Sequence, residues 1–471
     1  MIKSNFKDKK IAILGYGVEN QFLFNWLIKH GANIITICDK NSKLEVLNSK
    51  QIQSLKSKIQ NLEFRLGKDY LKNLEDFDII FRTPGIPYLN PEIQKAKKKG
   101  VKISSQIKLF FKLCPAKIIG VTGTKGKGTT ASLIFEILKK ENTKVYFGGN
   151  IGNAPIEFLD QLDKKDLVVL ELSSFQLQDL DKSPYIAVVL DIKSDHLDYH
   201  KNQKEYEDAK ANIVKHQTKK DFTVINLDYL TSFKFAVTSP TKNDYYFSRR
   251  KSVDLGCYIK WDNNLGKVIL RTANKDYEII DTKNIILRGK HNLENIAAAV
   301  TASYLAGATA KVISSVVGKF KGLEHRLEFV SEIKKVKYYN DSFSTTPDTA
   351  IAAINSFQEP IILLLGGSEK NADYNKLAKK IVQSSVKTII PIGKTALRII
   401  KKMQQSDNLV SKKINITKNC PTMQEAVAMA KNHSVSGDVV LLSPASASFD
   451  HYKNYKDRGN QFKSAVADLK S

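Results

Sequence analysis

The sequence predicts an α/β protein of three domains with mostly parallel sheets, and three observations carry that prediction. The chain has 471 residues, more than one ordinary core serves and a comfortable length for three. Short apolar runs recur along it and end at glycine-rich or acidic turns, with amphipathic stretches in between. One such turn, running from Gly123 to Thr130, sets glycines and lysines together between a strand-like run and a helical one.

The first domain, residues 1–106, reads as Rossmann-like. Ile11–Gly15 is a buried strand entering Gly15-Tyr16-Gly17, followed by a helical stretch around Gln21–Lys29 that Gly31 stops. Ile34–Asp39 is a second strand ending in an acid, at the distance a β-α-β unit requires. The third glycine of the dinucleotide fingerprint is missing, so a relative of that fold is expected in place of NAD binding. Asp78–Phe81 then leads into Arg82-Thr83-Pro84-Gly85-Ile86-Pro87, a turn at a strand end, where such sheets bind ligands.

The second domain, 107–322, restarts with Lys117–Thr122 and continues with strands at Leu167–Leu170 and Ile186–Leu190. The strand-rich stretch Tyr245–Ile280 is expected to add an antiparallel piece. The third domain, 323–471, follows Gly322. It offers strands at Ile361–Leu365 and Val439–Leu442 and a helix at Thr349–Phe357, again in Rossmann-like alternation. No internal repeat interrupts this reading.

Hydrophobic residues form 42% of the chain and charged residues 26%, the balance of a folded soluble protein. No apolar run approaches the ~20 residues that span a bilayer, so no membrane insertion is expected. Met1–Lys7 is polar and leads straight into a strand, the pattern of a cytoplasmic chain without a secretory leader. Cys38, Cys114, Cys257 and Cys420 lie far apart with no metal-type spacing, which fits a reducing compartment. The net charge of +26 would suit a nucleic-acid partner. Its lysines are scattered, however, and the densest run, Lys97-Lys98-Lys99, ends a surface helix, so no nucleic acid is expected. A positive field also draws in small anionic substrates.

In the turn Gly123-Thr124-Lys125-Gly126-Lys127-Gly128-Thr129-Thr130, glycines let backbone N–H groups converge on phosphate oxygens. The helix expected over Ala131–Lys140 adds partial positive charge at its start. Lys127 would reach the β/γ-phosphates of ATP, and a hydroxyl just after it would hold Mg²⁺. The spacing is compressed relative to a Walker A loop, and Gly128 stands where Ser or Thr would follow the lysine. Thr129 takes that part, with Thr130 in reserve. Glu171, at the end of the Leu167–Leu170 strand, can hold a Mg²⁺ shared with the nucleotide. Asp195-His196-Leu197-Asp198 follows the next strand in the same way. Lys210, in a helical run, reads as an ordinary helix lysine.

The ordered set G-T-K-G-K-G-T-T, E-L-S-S-F-Q, D-H-L-D, H-N-L-E-N and G-L-E-H-R resembles the Mur ligase family of peptide-forming enzymes. The tract Leu442–Asp450 (L-S-P-A-S-A-S-F-D) and the run Tyr452–Gly459 carry the resemblance to the C-terminal end. It implies a UDP-binding domain, a central P-loop-type ATPase domain and a glutamate-binding domain. The implied activity is that of an ADP-forming acid–amino-acid ligase. It would add D-glutamate to UDP-N-acetylmuramoyl-L-alanine through an acyl phosphate, in peptidoglycan synthesis. The same reaction with L-glutamate is one alternative, and a folylpolyglutamate-synthase-like ligase a more remote one.

By the same resemblance, Lys127 and Thr129 match the phosphate and metal loop, and Glu171 and His196 match metal-site residues. Lys210 matches the lysine that the family carbamylates with CO₂, making an anionic ligand for one of two Mg²⁺ ions. Asn292, Asn295, Arg326 and Asp341 match nucleotide-binding positions. Lys370 matches a lysine beside the incoming amino acid, and Thr345, Ser448 and Tyr455 fall in the glutamate pocket. Asn150 and Gln176 match muramoyl-side contacts, and Val18, Glu19, Asp39 and Gly85 the uridine-diphosphate end. The catalytic set is then Lys127, His196, Lys210 and Lys370, working on small molecules in a monomer. Two positions depart from the pattern. Glu19 replaces a small hydroxyl residue beside the diphosphate, and Phe343 replaces a lysine of the glutamate pocket.

Overall fold

A computed structural model describes residues 6–42, 59, 61–196, 199–263, 265–368, 372–405 and 414–469. Its first sheet contains β1 (Lys10–Leu14), β2 (Ile34–Asp39), β3 (Asn61–Leu66), β4 (Ile79–Arg82) and β5 (Lys102–Ser104). The order is β3-β2-β1-β4-β5 and every pairing is parallel. Sheets covered on both faces need continuous apolar strands, as the fully buried Ile11–Leu14 shows. The order reverses at β1, which opens a crevice at the C-terminal ends of β1 and β4. Gly15 begins that crevice with φ +81°, and a Cβ there would collide with Thr83, so the turn needs glycine.

The second sheet contains β6 (Lys117–Thr122), β7 (Val145–Gly149), β8 (Leu167–Glu171), β9 (Ile186–Val189) and β10 (Phe222–Asn226). It continues through β11 (Asp244–Ser248), β12 (Gly256–Asp262), β13 (Leu265–Arg271) and β14 (Asp276–Asp281). The order is β14-β13-β12-β11-β10-β9-β6-β8-β7. The antiparallel piece starts later than Tyr245: β11 pairs in parallel with both β10 and β12, and only β12–β14 form an antiparallel meander. The segment 249–255 carries the chain back to the start of β11 before β12 begins, so no hairpin forms there.

One core serves both sheets. Phe6, Phe81 and Phe110 belong to the same buried cluster as Ile156, Phe158 and Val168. Phe110 meets Phe158 edge to face with ring centres 5.7 Å apart. The helix Gln106–Leu113 supplies Phe110, and Ser105 caps it by accepting from the Lys108 N–H at 3.2 Å. These residues form one compact unit, through Thr282 and with Glu294–Val316.

The second compact unit comprises Lys283–Leu293 and the chain from Val317 onward. Its sheet contains β15 (Glu328–Ile333), β16 (Val336–Asn340), β17 (Ile361–Leu365), β18 (Val386–Pro391), β19 (Asn415–Ile416) and β20 (Val439–Leu442). The order is β15-β16-β20-β17-β18-β19, parallel except for the β15–β16 hairpin. The central strands β17 and β20 are wholly buried between two helical layers. Among the described residues no helix is long and apolar enough to cross a membrane.

Candidate active site

The loop between β6 and the helix Lys127–Lys140 is held from several sides. The Thr124 N–H donates to the Asp191 carbonyl at 2.7 Å, and its hydroxyl lies 3.0 Å from the Tyr206 hydroxyl. Gly126 caps the helix in a left-handed conformation, so the helix starts at Lys127, earlier than Ala131. A Cβ on Gly126 would run into the Asn295 side chain, which closes over the loop. The Lys127 ammonium donates to the Gly123 and Thr124 carbonyls, each at 3.0 Å, and so lies inside its own loop. Lys125 points to solvent, whereas Gly128, Thr129 and Thr130 are buried.

Lys210 is not an ordinary helix lysine. Its helix, Gln203–Lys215, presses the side chain into the interior beneath the loop. There its ammonium nitrogen donates to the Gly123 carbonyl at 3.0 Å. Burial drives its pKa well down, the Lys127 charge adds to that, and Asp195 and Glu171 pull the other way. A buried amine that gives up its proton easily is a nucleophile.

Glu171 ends β8, buried, and accepts from the Asn150 side-chain amide at 3.1 Å. His196 sits in a left-handed backbone turn (φ +53°), with its ring 4.9 Å from Phe175 and 3.6 Å from the Asp195 carboxylate. Leu197 and Asp198 lie outside the described residues. His200, which sequence reasoning passed over, is buried between Glu205 at 2.6 Å and Ser174 at 2.9 Å.

Among the described residues no group of three or more His, Cys, Asp or Glu side chains gathers as it would around a metal. The local donors are instead hard oxygens. The Thr130 hydroxyl and one Asp191 carboxylate oxygen are buried without a hydrogen-bond partner, and Glu171 ends the neighbouring strand. Such a set fits Mg²⁺, which takes few protein oxygens and completes its shell with water and phosphate.

At the crevice of the first sheet, Val18 is exposed at the start of the helix Val18–Lys29. The Asp39 carboxylate accepts from the Tyr16 N–H at 2.7 Å, and Gly85 is exposed on the β4 turn. Burial raises Glu19 to about 7, against the pull of the Arg82 charge. Gln176 is buried and closes a capping box with Ser173. Arg82 is the largest omission of the sequence reading. Wholly buried, it donates to the Ile86 carbonyl at 3.1 Å on one side and to the Phe175 carbonyl at 2.9 Å on the other. A charged residue closing an apolar strand was its only signal.

In the second unit the buried Asp341 accepts from the Ser443 hydroxyl at 2.8 Å and the Leu327 N–H at 3.1 Å. Burial raises it to about 7. The Arg326 guanidinium stacks over Phe343 at 4.3 Å, and Phe343 meets Tyr455 edge to face at 5.0 Å. Ser448 is buried, and Thr345 follows Phe343 in a tight turn. Asn292 lies in this unit, with its amide 2.5 Å from the Arg288 carbonyl, whereas Asn295 belongs to the first. Lys370 lies outside the described residues.

A glycine–lysine loop at a helix start over a buried lysine, with crevices at the ends of parallel strands, is the arrangement of an α/β enzyme suited to phosphate-bearing ligands. Three family profiles match in sequence: "Mur ligase MurD-like, N-terminal domain" over 9–105, "Mur ligase middle domain" over 121–303 and "Mur ligase, glutamate ligase domain" over 325–446. The chain belongs to the Mur ligase family. It is 40% identical to the UDP-N-acetylmuramoylalanine–D-glutamate ligase of Acetivibrio thermocellus, over 100% of this chain and 98% of that one. The protein of the same name from Symbiobacterium thermophilum is 39% identical over 98% of both chains. In fold it is similar to the UDP-N-acetylmuramate–alanine ligase of Thermotoga maritima, with a TM-score of 0.58, 16% identity and coverage of 98% and 100%.

Proposed function

We propose that this chain is an ATP-dependent, ADP-forming ligase that joins D-glutamate to UDP-N-acetylmuramoyl-L-alanine in peptidoglycan precursor synthesis. The observation that carries this reading is the Lys127 loop seated on the buried Lys210, in a chain about 40% identical, end to end, to ligases of that name. Working boundaries are 1–106 for uridine diphosphate, 107–322 for ATP and 323–471 for glutamate. Its partners are these small molecules, and it works as a cytoplasmic monomer.

The substrate carboxylate attacks the γ-phosphorus of ATP and ADP leaves, giving an acyl phosphate. The glutamate amine then attacks the acyl carbon and phosphate departs. Lys127 turns from its loop carbonyls to the β/γ-phosphates, where its charge offsets the negative charge that builds up. Backbone N–H groups of Gly126–Thr130 hold the phosphates, and Asn295 closes over them. Thr129 or Thr130, Glu171, His196 and a carbamylated Lys210 would hold two Mg²⁺ ions, which when bound neutralise phosphate charge. Val18, Glu19, Asp39 and Gly85 take the uridine diphosphate, and Asn150 and Gln176 the muramoyl side. Asn292, Arg326 and Asp341 complete the nucleotide contacts. Thr345, Lys370, Ser448 and Tyr455 receive glutamate.

The test is phosphate release with ATP, Mg²⁺ and UDP-N-acetylmuramoyl-L-alanine, with D- and L-glutamate supplied separately. Release with D-glutamate alone is expected. Release with L-glutamate alone would overturn the stereochemistry, and release with neither would overturn the reading.

A further inference from the structure

A cavity of about 580 Å³ opens in the first unit, where β4 and β5 meet the helix Gln106–Leu113 and the Asp181–Lys182 turn. Its volume falls in the range of small-molecule sites, roughly 300–1,000 Å³. None of its lining residues belongs to the candidate active site. The floor is apolar, built from Phe6, Ile79, Phe81, Leu109 and Leu113. The rim is cationic, with Lys102, Lys108, Lys112 and Lys182 set against a single carboxylate, that of Asp181.

That carboxylate is already matched. It lies 3.3 Å from Lys108, whose ammonium also donates to the Asp179 carbonyl at 2.8 Å. Lys102, Lys112 and Lys182 form no ion pair among the described residues. Lys102 lines the same cavity rim as Lys112 and Lys108. Burial lowers its proton affinity first, and the neighbouring Lys112 and Lys108 charges lower it further. Lys102 stands on β5 and Lys112 on a helix whose apolar face is packed into the core, so both are anchored at the cavity by fixed elements. A lysine rim above an aromatic floor is the electrostatic complement of an anion with an apolar body.

We propose that this cavity binds a small amphipathic organic anion, its apolar ring or chain against Phe6 and Phe81 and its acidic group between Lys102 and Lys112. The site lies apart from the ligase reading and stands or falls without it.

The test is a fluorescence titration of the full chain with 8-anilinonaphthalene-1-sulfonate, an aromatic anion that brightens in apolar surroundings. Saturating ADP and UDP keep the nucleotide sites filled. Saturable binding is expected, weakened about tenfold or more in the Lys102→Glu, Lys112→Glu double variant, with ligase turnover unchanged. Should that variant not fold, Lys102→Gln alone is read in the same way, with a smaller loss. Equal affinity in the variant that folds and the parent overturns the proposal. Displacement by phenyl phosphate assigns a phosphorylated ring and displacement by decanoate a fatty carboxylate; displacement by neither overturns it.

Discussion

Arg82 and Asp179 form an ion pair at 2.7 Å with both side chains almost fully buried. Arg82 ends β4 of the first sheet, and Asp179 follows the short helix Ser174–Leu177 of the second. The same guanidinium holds the Ile86 carbonyl, on the turn that carries Gly85, and the Phe175 carbonyl, next to Gln176. One side chain therefore sets the spacing between the residues proposed for the two ends of the UDP-linked substrate.

Arg82→Met should leave the buried Asp179 carboxylate with only the more distant Lys108 ammonium, 3.9 Å away, at a cost of up to about 3–5 kcal/mol. A lower urea midpoint is expected, together with a KM for the UDP-linked substrate raised more than that for ATP. Adding Asp179→Leu should recover most of the stability but not the KM. Recovery of both would show that Arg82 has no positioning role.

Lys127→Ala should lower ligation by about 100-fold or more, the scale seen when a transition-state donor is lost. The unfolding midpoint should hardly move, since its bonds to the Gly123 and Thr124 carbonyls stay within one loop. Near-normal phosphate release would refute the loop's role.

Burial, and after it the Lys127 charge, depress the Lys210 pKa, which favours the neutral amine that CO₂ needs. ¹³C-bicarbonate should give a carbamate resonance in the native protein that is absent from Lys210→Ala. That variant should be inactive and partly rescued by short carboxylates. Acid protonates the amine, so both resonance and activity should fall with pH. Full activity in bicarbonate-depleted buffer would count against the modification.

Asp341 gives a stability test with a defined sign. Its pKa is raised from 3.8 to about 7 in the fold, so the folded unit keeps a proton that the unfolded chain releases. Its contribution is fully present below pH ~4 and is lost as pH rises through about 7, by on the order of 4 kcal/mol. Asp341→Asn should flatten that slope in urea titrations taken from pH 4 to 8. An unchanged slope would place the proton elsewhere.

The glycine–lysine turn and the apolar strands were legible because each is local: a strand, a tight turn and a helix start lie next to one another in sequence. Glu171 was legible too, as an acid at a strand end. Lys210 and Arg82 were not. Their burial depends on residues far away in the chain, Gly123 for one and Asp179 for the other, and a single sequence carries no trace of such pairings. The parallel pairing of β11 was missed for a related reason, since strand content near Tyr245 says nothing about direction. Family resemblance reached Lys210 where pattern alone could not. It did not reach Arg82.

The shared core of the first two sheets has a consequence for how such genes recombine. Residues 1–106 do not make a transferable cassette, because Phe6 and Phe81 share one buried cluster with Phe110 and Phe158 on the far side of that boundary. A crossover near codon 106 would join aromatic surfaces shaped in different lineages. One near codon 317 leaves that fit intact and parts only the short segment Lys283–Leu293 from the rest of the second unit. Chimaeras of related chains should therefore tolerate exchange of the C-terminal part far better than exchange of the N-terminal one.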